Sequence, residues 1–192
     1  NVLSRDICVA DKTYQENVCK FLVDTTKEFD ISYWKLDGFS YRPCTNSKHH
    51  HMVGGENDMY YYSEMWQGWI DIFKSVRQAR AEEGKDLWIN MTCYVHPSPW
   101  WLQYVNSIWL QNSSDIGFAD NLEHQPQLER EITYRDGRYY HSLCTRAWQI
   151  PQRYIYNHEP IYGTEAKVHY TDEEFEKYLY FNACRGQALN EL

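Results

Sequence analysis

The amino-acid sequence predicts an α/β protein in which strands and helices alternate on a parallel sheet. Three observations predict it. Short runs rich in β-branched and aromatic residues recur at 31–39, 87–94, 107–111 and 154–156. The longer segments around them repeat apolar residues at helical spacing. Two of those segments open on Thr-x-x-Glu, at Thr13–Glu16 and Thr171–Glu174, the box whose reciprocal side-chain and backbone hydrogen bonds start a helix. Such alternation is that of βα units, and both an open doubly wound sheet and a (β/α)-barrel satisfy it.

In chain order, Cys8-Val-Ala10 reads as a strand end. The helix opened at Thr13 sets Val18, Leu22, Thr25 and Phe29 on one face. Ile31-Ser-Tyr-Trp-Lys-Leu-Asp-Gly-Phe39 follows as a strand. Its alternation places Tyr33, Lys35 and Asp37 on one face and Trp34 and Leu36 on the other, before Gly38 breaks the run. A lysine and an aspartate at the carboxyl end of a parallel strand stand where barrel enzymes place their chemistry; the alternative is a surface ion pair. The stretch from Phe39 to about Tyr60 holds Pro43, Cys44, Lys48, His49 to His51 and Gly54-Gly55, and is long for a connection without a task.

Met65, Trp66, Trp69, Ile72, Phe73, Val76 and Ala79 mark a second helix, ended by Gly84. Trp34, Trp66 and Trp69 are expected on buried faces. Leu87 to Tyr94 is strand-like, and His96-Pro-Ser-Pro-Trp-Trp101 is a turn-rich aromatic loop. Ser107 to Gln111 reads as a short buried strand with Asn112-Ser-Ser-Asp115 at its end. Residues 120–148 are polar without clear period, and Asp136-Gly137 suggests a turn. Tyr154-Ile-Tyr156 is a strand. The Thr171 box opens a helix through Phe175, Tyr178, Leu179 and Phe181, closed by Gly186, and Gln187-Ala-Leu189 begins another strand. Gly54-Gly55 lacks the strand before and helix after that a phosphate-binding turn needs, which counts against a nucleotide fold.

With 192 residues, the chain is long enough for one domain with a real core. A net charge of -8 argues against a nucleic-acid partner, which would require a basic surface. No apolar run reaches the about 18 residues of a membrane span, and no signal peptide stands at the start as given. The 17 tyrosines and 8 tryptophans suit an aromatic core as well as sugar stacking; Trp100 and Trp101, in a loop, are the better stacking candidates. Cysteines 8, 19, 44, 93, 144 and 184 are scattered without a C-x-x-C pair, which reads as free thiols in a reducing compartment, a bacterial cytoplasm rather than the outside. The sequons at Asn90 and Asn112 lie in or beside apolar strands and read as chance.

Asp37 and Asp115 each follow an apolar strand in different βα units. In a barrel both face one mouth, and two carboxylates flanking a bond are what glycoside hydrolysis needs: one attacks, the other donates and then accepts a proton. Lys35 adds a positive charge that favours an ionised nucleophile. The alternative is that each aspartate caps the segment after it. His49-His-His51 with Cys44 matches no zinc spacing, and three adjacent side chains converge poorly. No structural metal is therefore expected there, and no cofactor. His96 and His158 each follow a strand-like run, where they would line the mouth; the alternative is a hydrogen-bonded spacer, the commoner role of a single histidine. Cys93 lacks a histidine partner for nucleophilic chemistry.

These motifs resemble the α-galactosidase (melibiase) families of retaining glycoside hydrolases. Trp34-Lys-Leu-Asp37-Gly looks like the family's fourth barrel strand, Cys8-Val-Ala-Asp11 like the segment before it, and Trp109-Leu-Gln-Asn-Ser-Ser-Asp115-Ile like the sixth. The resemblance runs over most of residues 5 to 120. It implies Asp37 as nucleophile, Asp115 as acid/base and Lys35 as a ligand of sugar hydroxyls. Trp109 takes the place of the tryptophan before the acid/base. Cys93, Tyr94, His96 and Trp100 stand where the family faces the sugar's 2-position, in place of its Gly-rich Arg- and Asp-bearing segment, so the sugar differs or is undefined. A complete barrel of this type has about 250 residues. The expectation is therefore a partial (β/α)8 TIM barrel, roughly the C-terminal half (strands four to seven or eight), with residues 1–192 forming part of a single catalytic domain. Its partner would be a carbohydrate substrate, with the missing barrel strands or a second copy at the open edge. Alone, such a piece is expected to be a poor enzyme. A non-catalytic carbohydrate-binding fragment and a metal-dependent hydrolase using the histidine loop are the competing readings.

Overall fold

The computed structural model describes residues 8–37, 44–52, 59–92, 97–110, 124–157, 159 and 169–186. The chain divides into two compact units, Asn1–His96 with Gln103–Asn106, and Pro97–Leu102 with Ser107–Leu192. Both are mixed α/β. Among the described residues are α1 (Lys12–Glu28), β1 (Tyr33–Leu36), α2 (Met59–Glu82), β2 (Trp88–Met91), β3 (Ser107–Trp109), α3 (Gln127–Tyr140), β4 (Ile155–Tyr156) and α4 (Asp172–Arg185). None of these helices is long and apolar enough to cross a membrane.

In the first unit α1 leads to β1 and α2 to β2, and β1 pairs with β2 in parallel, Tyr33 opposite Trp88 and Lys35 opposite Asn90. This is the predicted βα succession. The start of α1 differs from expectation. Asp11, not Thr13, is the N-cap, its Oδ1 accepting from Tyr14 N–H at 3.1 Å. Cys8 to Ala10 form a turn rather than a strand end, closed by Asp11 N–H on the Cys8 carbonyl at 3.2 Å. After α1, Asp30 adopts a left-handed φ of 53°. Its carboxylate takes Arg80 Nη1 at 2.7 Å and Lys85 Nζ at 2.5 Å, which ties the α1–β1 corner to the end of α2.

The core of this unit is the apolar stripe of α2. Met65, Trp69, Ile72, Phe73 and Val76 are buried, at spacings that fall on one helical face, and Trp69 stacks on Phe73 with centroids 5.5 Å apart. Each such side chain contributes about 1.5–3 kcal/mol through burial. Trp66 is one residue off the stripe and 36% exposed, so its expected burial is corrected. Trp34 is half-buried and donates Nε1–H to Thr26 Oγ1 at 2.8 Å. At Gly68, α1 and its lead-in come close to α2: a Cβ there would lie 2.5 Å from the Val9 carbonyl and 2.3 Å from Gln15 Nε2.

In the second unit β3 and β4 pair in parallel, Trp109 opposite Tyr156. Within the polar stretch at 120–148, residues 127–145 are helical. α3 runs straight through Asp136-Gly137 and continues into a turn of π-helix at His141–Thr145, which corrects the expected turn. Its buried side is Leu128, Glu131, Ile132, Arg135 and Tyr139. α4 forms as the sequence specifies: both halves of the Thr171–Glu174 box are made, and Gly186 ends the helix at φ 68°. The strand expected at Gln187–Leu189 lies outside the described residues.

Candidate functional site

The carboxyl end of β1 presents the Lys35-Leu36-Asp37 sequence. Leu36 is buried and Asp37 exposed, whereas Trp34 and Lys35, read from the sequence as lying on opposite faces, are both half-buried. Parallel pairing sets Asn90 beside Lys35. Asn90 is fully buried within an otherwise apolar strand. It accepts Trp88 Nε1–H at 2.7 Å and donates to the Tyr33 hydroxyl, which satisfies a polar group that would otherwise cost free energy in the core. Burial of Asn90 also leaves no room for a glycan. The edge bonds Trp88 N–H to Ser32 O and Thr92 N–H to Leu36 O, both 2.9 Å, fix the register up to Asp37. Sequence reasoning missed Asn90 as a site neighbour. The signal was there: a lone amide two residues after a tryptophan in an apolar strand.

Asp115, Cys93, Tyr94, His96 and His158 lie outside the described residues. Trp100 is 39% exposed and meets Trp101 edge-on at 5.0 Å, whereas Trp101 is fully buried and cannot offer a face to a ligand. Trp109 closes β3 and is nearly buried.

Beyond β4 stands a buried polar cluster that the sequence did not announce. Asn157 Nδ2 donates to Glu159 Oε1 at 3.2 Å, and both residues are fully buried. Glu159 Oε2 accepts from Arg185 Nη1 at 2.7 Å, and Arg135 Nε lies 3.6 Å from Glu159 Oε1. Glu131 accepts from Tyr178 at 3.0 Å and also from Tyr170. Burial pushes the carboxyls of both glutamates up, against the pull of these donors and of Arg135. Two carboxylates and two guanidiniums hold α3, α4 and the segment after β4 together with their charges balanced.

The histidine loop departs most from expectation. His49 and His51 turn to one side and His50 to the other. His50 N–H and ring Nδ1 both meet Asp11 Oδ2 at 3.1 Å. On the opposite side Cys8 Sγ is 3.1 Å from His51 Nε2, and Cys44 Sγ is 3.2 Å from His49 Nδ1. One donor atom from each of Cys8, Cys44, His49 and His51 lies within 4.8 Å of the others. The three histidines do not converge, as expected; two of them converge with two thiols, and one of those comes from ahead of α1. Cys8 is buried, and burial followed by the neighbouring Cys44 pushes its thiol up to about 11. Among the described residues Cys8, Cys19, Cys44, Cys144 and Cys184 form no disulfide.

A cavity of about 570 Å³ opens against α2, lined by Lys74, Arg77, Gln78, Ala81, Gln103 and Tyr104. Arg77 bonds the Tyr104 carbonyl at 2.8 Å, next to Asn106, which exchanges 2.9 Å bonds with Ile89. None of its lining residues is one singled out from the sequence.

No family model, curated protein or solved structure matches the chain.

Proposed function

We propose that the chain carries the nucleophile side of a retaining α-glycosidase, of the α-galactosidase kind, within part of a (β/α)8 barrel. The observation that carries this reading is the carboxyl end of β1: an exposed Asp37 two residues after Lys35, at the end of a strand paired in parallel with its neighbour. In barrel enzymes that end holds the chemistry.

The reaction is a double displacement. The Asp37 carboxylate attacks the anomeric carbon while Asp115 protonates the leaving oxygen, giving a glycosyl ester on Asp37. Asp115 then takes a proton from water, which cleaves the ester and restores both carboxyls with retained configuration. Lys35 donates to sugar hydroxyls, and Trp100 offers the exposed ring.

A metal-dependent hydrolase on the histidine loop gains no support. Four protein donors crowd together there, whereas a hydrolytic metal keeps a position open for water. A carbohydrate-binding fragment without catalysis is separated by assay. The full-length gene product should hydrolyse chromogenic α-galactosides. Asp37→Ala should lower turnover by about 10⁴-fold or more, and added azide should restore it as a glycosyl azide of opposite anomeric configuration. Turnover that survives Asp37→Ala without azide would exclude the assignment; sugar binding without turnover would favour the binding fragment.

A further inference from the structure

We propose that Cys8, Cys44, His49 and His51 form a closed structural site for a zinc ion, which fastens the turn ahead of α1 to the segment that follows β1. This inference does not depend on the glycosidase reading.

The donor set is the first argument. Two sulfurs and two imidazoles suit zinc and not calcium or magnesium, which take oxygen ligands. Geometry is the second. Tetrahedral zinc with sulfur at about 2.3 Å and nitrogen at about 2.0–2.1 Å spaces its ligand atoms about 3.3–3.8 Å apart. The Cys8–His51 and Cys44–His49 pairs stand at 3.1 and 3.2 Å, and all four atoms lie within 4.8 Å. The four donor atoms are therefore close enough to converge on one ion by small side-chain rotations, without a change of fold.

Support around the ligands is the third. His51 Nδ1 lies 2.7 Å from the Met52 carbonyl, so that nitrogen carries the proton and Nε2 turns its lone pair toward Cys8. A backbone carbonyl in this role is a recurrent device for fixing a metal-binding imidazole. His49 presents Nδ1 to Cys44, and its Nε2 meets the Asn46 side-chain amide at 2.9 Å, a group whose oxygen and nitrogen can exchange places to suit the ring. Asp11 organises both halves of the site. One carboxylate oxygen caps α1 and the other holds His50 N–H, which directs His50 away and leaves its two neighbours on the thiol side. Tyr61, buried, closes the site with its ring edge-on to His51 at 5.5 Å.

Four protein ligands fill a tetrahedral zinc, so the ion has a structural task and activates no water. The Cys44-x4-His49-x-His51 spacing with a distant Cys8 follows no familiar zinc pattern, because the fourth ligand is brought in by the turn before α1.

The test uses the untagged 192-residue chain, purified under reducing conditions with zinc and dialysed. Metal analysis should find an equivalent of zinc per chain. Replacement by cobalt should give thiolate-to-metal charge-transfer absorption and the intense visible bands of tetrahedral coordination. Cys44→Ser and His51→Gln should reduce bound zinc to a minor fraction, while His50→Gln keeps the full equivalent. Because ligand variants can fail to fold, the cobalt spectrum of the unsubstituted chain decides independently. A metal-free dialysed protein, a cobalt spectrum without thiolate bands, a Cys8–Cys44 disulfide in freshly reduced material, or zinc retained by both ligand variants would each overturn the site.

Discussion

Asp30 shows how a single exposed residue can set a pH dependence. Hydrogen bonds from Lys85 and Arg80 hold its carboxyl below the ordinary value of 3.8, at about 2. A depressed carboxyl contributes stability that is complete above the unfolded value and is lost as pH falls through the folded one. Asp30→Asn keeps a side chain that tolerates the left-handed backbone and removes the charge. The variant should melt below the parent at neutral pH, and the gap should close between about pH 4 and pH 2; thermal melts across that range check it, and a gap independent of pH would show that the ion pairs contribute nothing. Asn90 is a second residue with a definite expectation. Asn90→Ala leaves the Trp88 Nε1–H without its acceptor in a part-buried setting, a loss of about 1–3 kcal/mol readable by urea unfolding. Asp37 and Lys35 were legible in the sequence because strand alternation fixes faces. For Asn90 the lone amide in an apolar strand was a signal, but its place beside Lys35 was not legible, because pairing across strands is invisible until the register is known.

At the scale of elements, legibility followed the chemistry of the buried face. α4 could be read because its start box, apolar spacing and terminal glycine are all local signals. α3 could not, because two of its buried positions are Glu131 and Arg135. Charged residues that are paired inside the protein erase the apolar period, and Asp136-Gly137 then reads as a turn. Packing overrides that local preference: Asp136 accepts from Arg185 of α4 at 2.9 Å. The cluster should behave as a unit. Removing one partner strands buried charge, so Glu159→Ala should cost about 3–5 kcal/mol, with a smaller loss in a Glu159→Ala/Arg185→Met double variant than the sum of the singles; chemical denaturation of the four proteins measures the coupling. The approach of α1 to α2 is equally specific. Gly68→Ala puts a methyl group against the Val9 carbonyl, and backbone cannot yield as a side-chain tip can, so a loss of about 1–3 kcal/mol is expected, seen as a lower melting temperature.

For the whole molecule, the α/β class was legible because strand and helix periodicities alternate along most of the chain, and each unit carries its parallel pair. Whether such units close into a barrel was not legible, since closure depends on which strands meet far apart in sequence. The proposed zinc site was only partly legible: Cys44 and the histidines were weighed and set aside, because Cys8 reaches them only after α1 and β1 are in place. A long acidic, aromatic chain was compatible with several functions, and the aspartate at the end of β1 is the ground on which glycoside chemistry is proposed. The covalent intermediate tests that most directly. A fluorinated α-galactosyl fluoride that forms the ester faster than water cleaves it should label the full-length protein once, and fragmentation should place the sugar on Asp37. A label on another carboxylate, or turnover that proceeds with Asp37 never modified, would contradict the assignment.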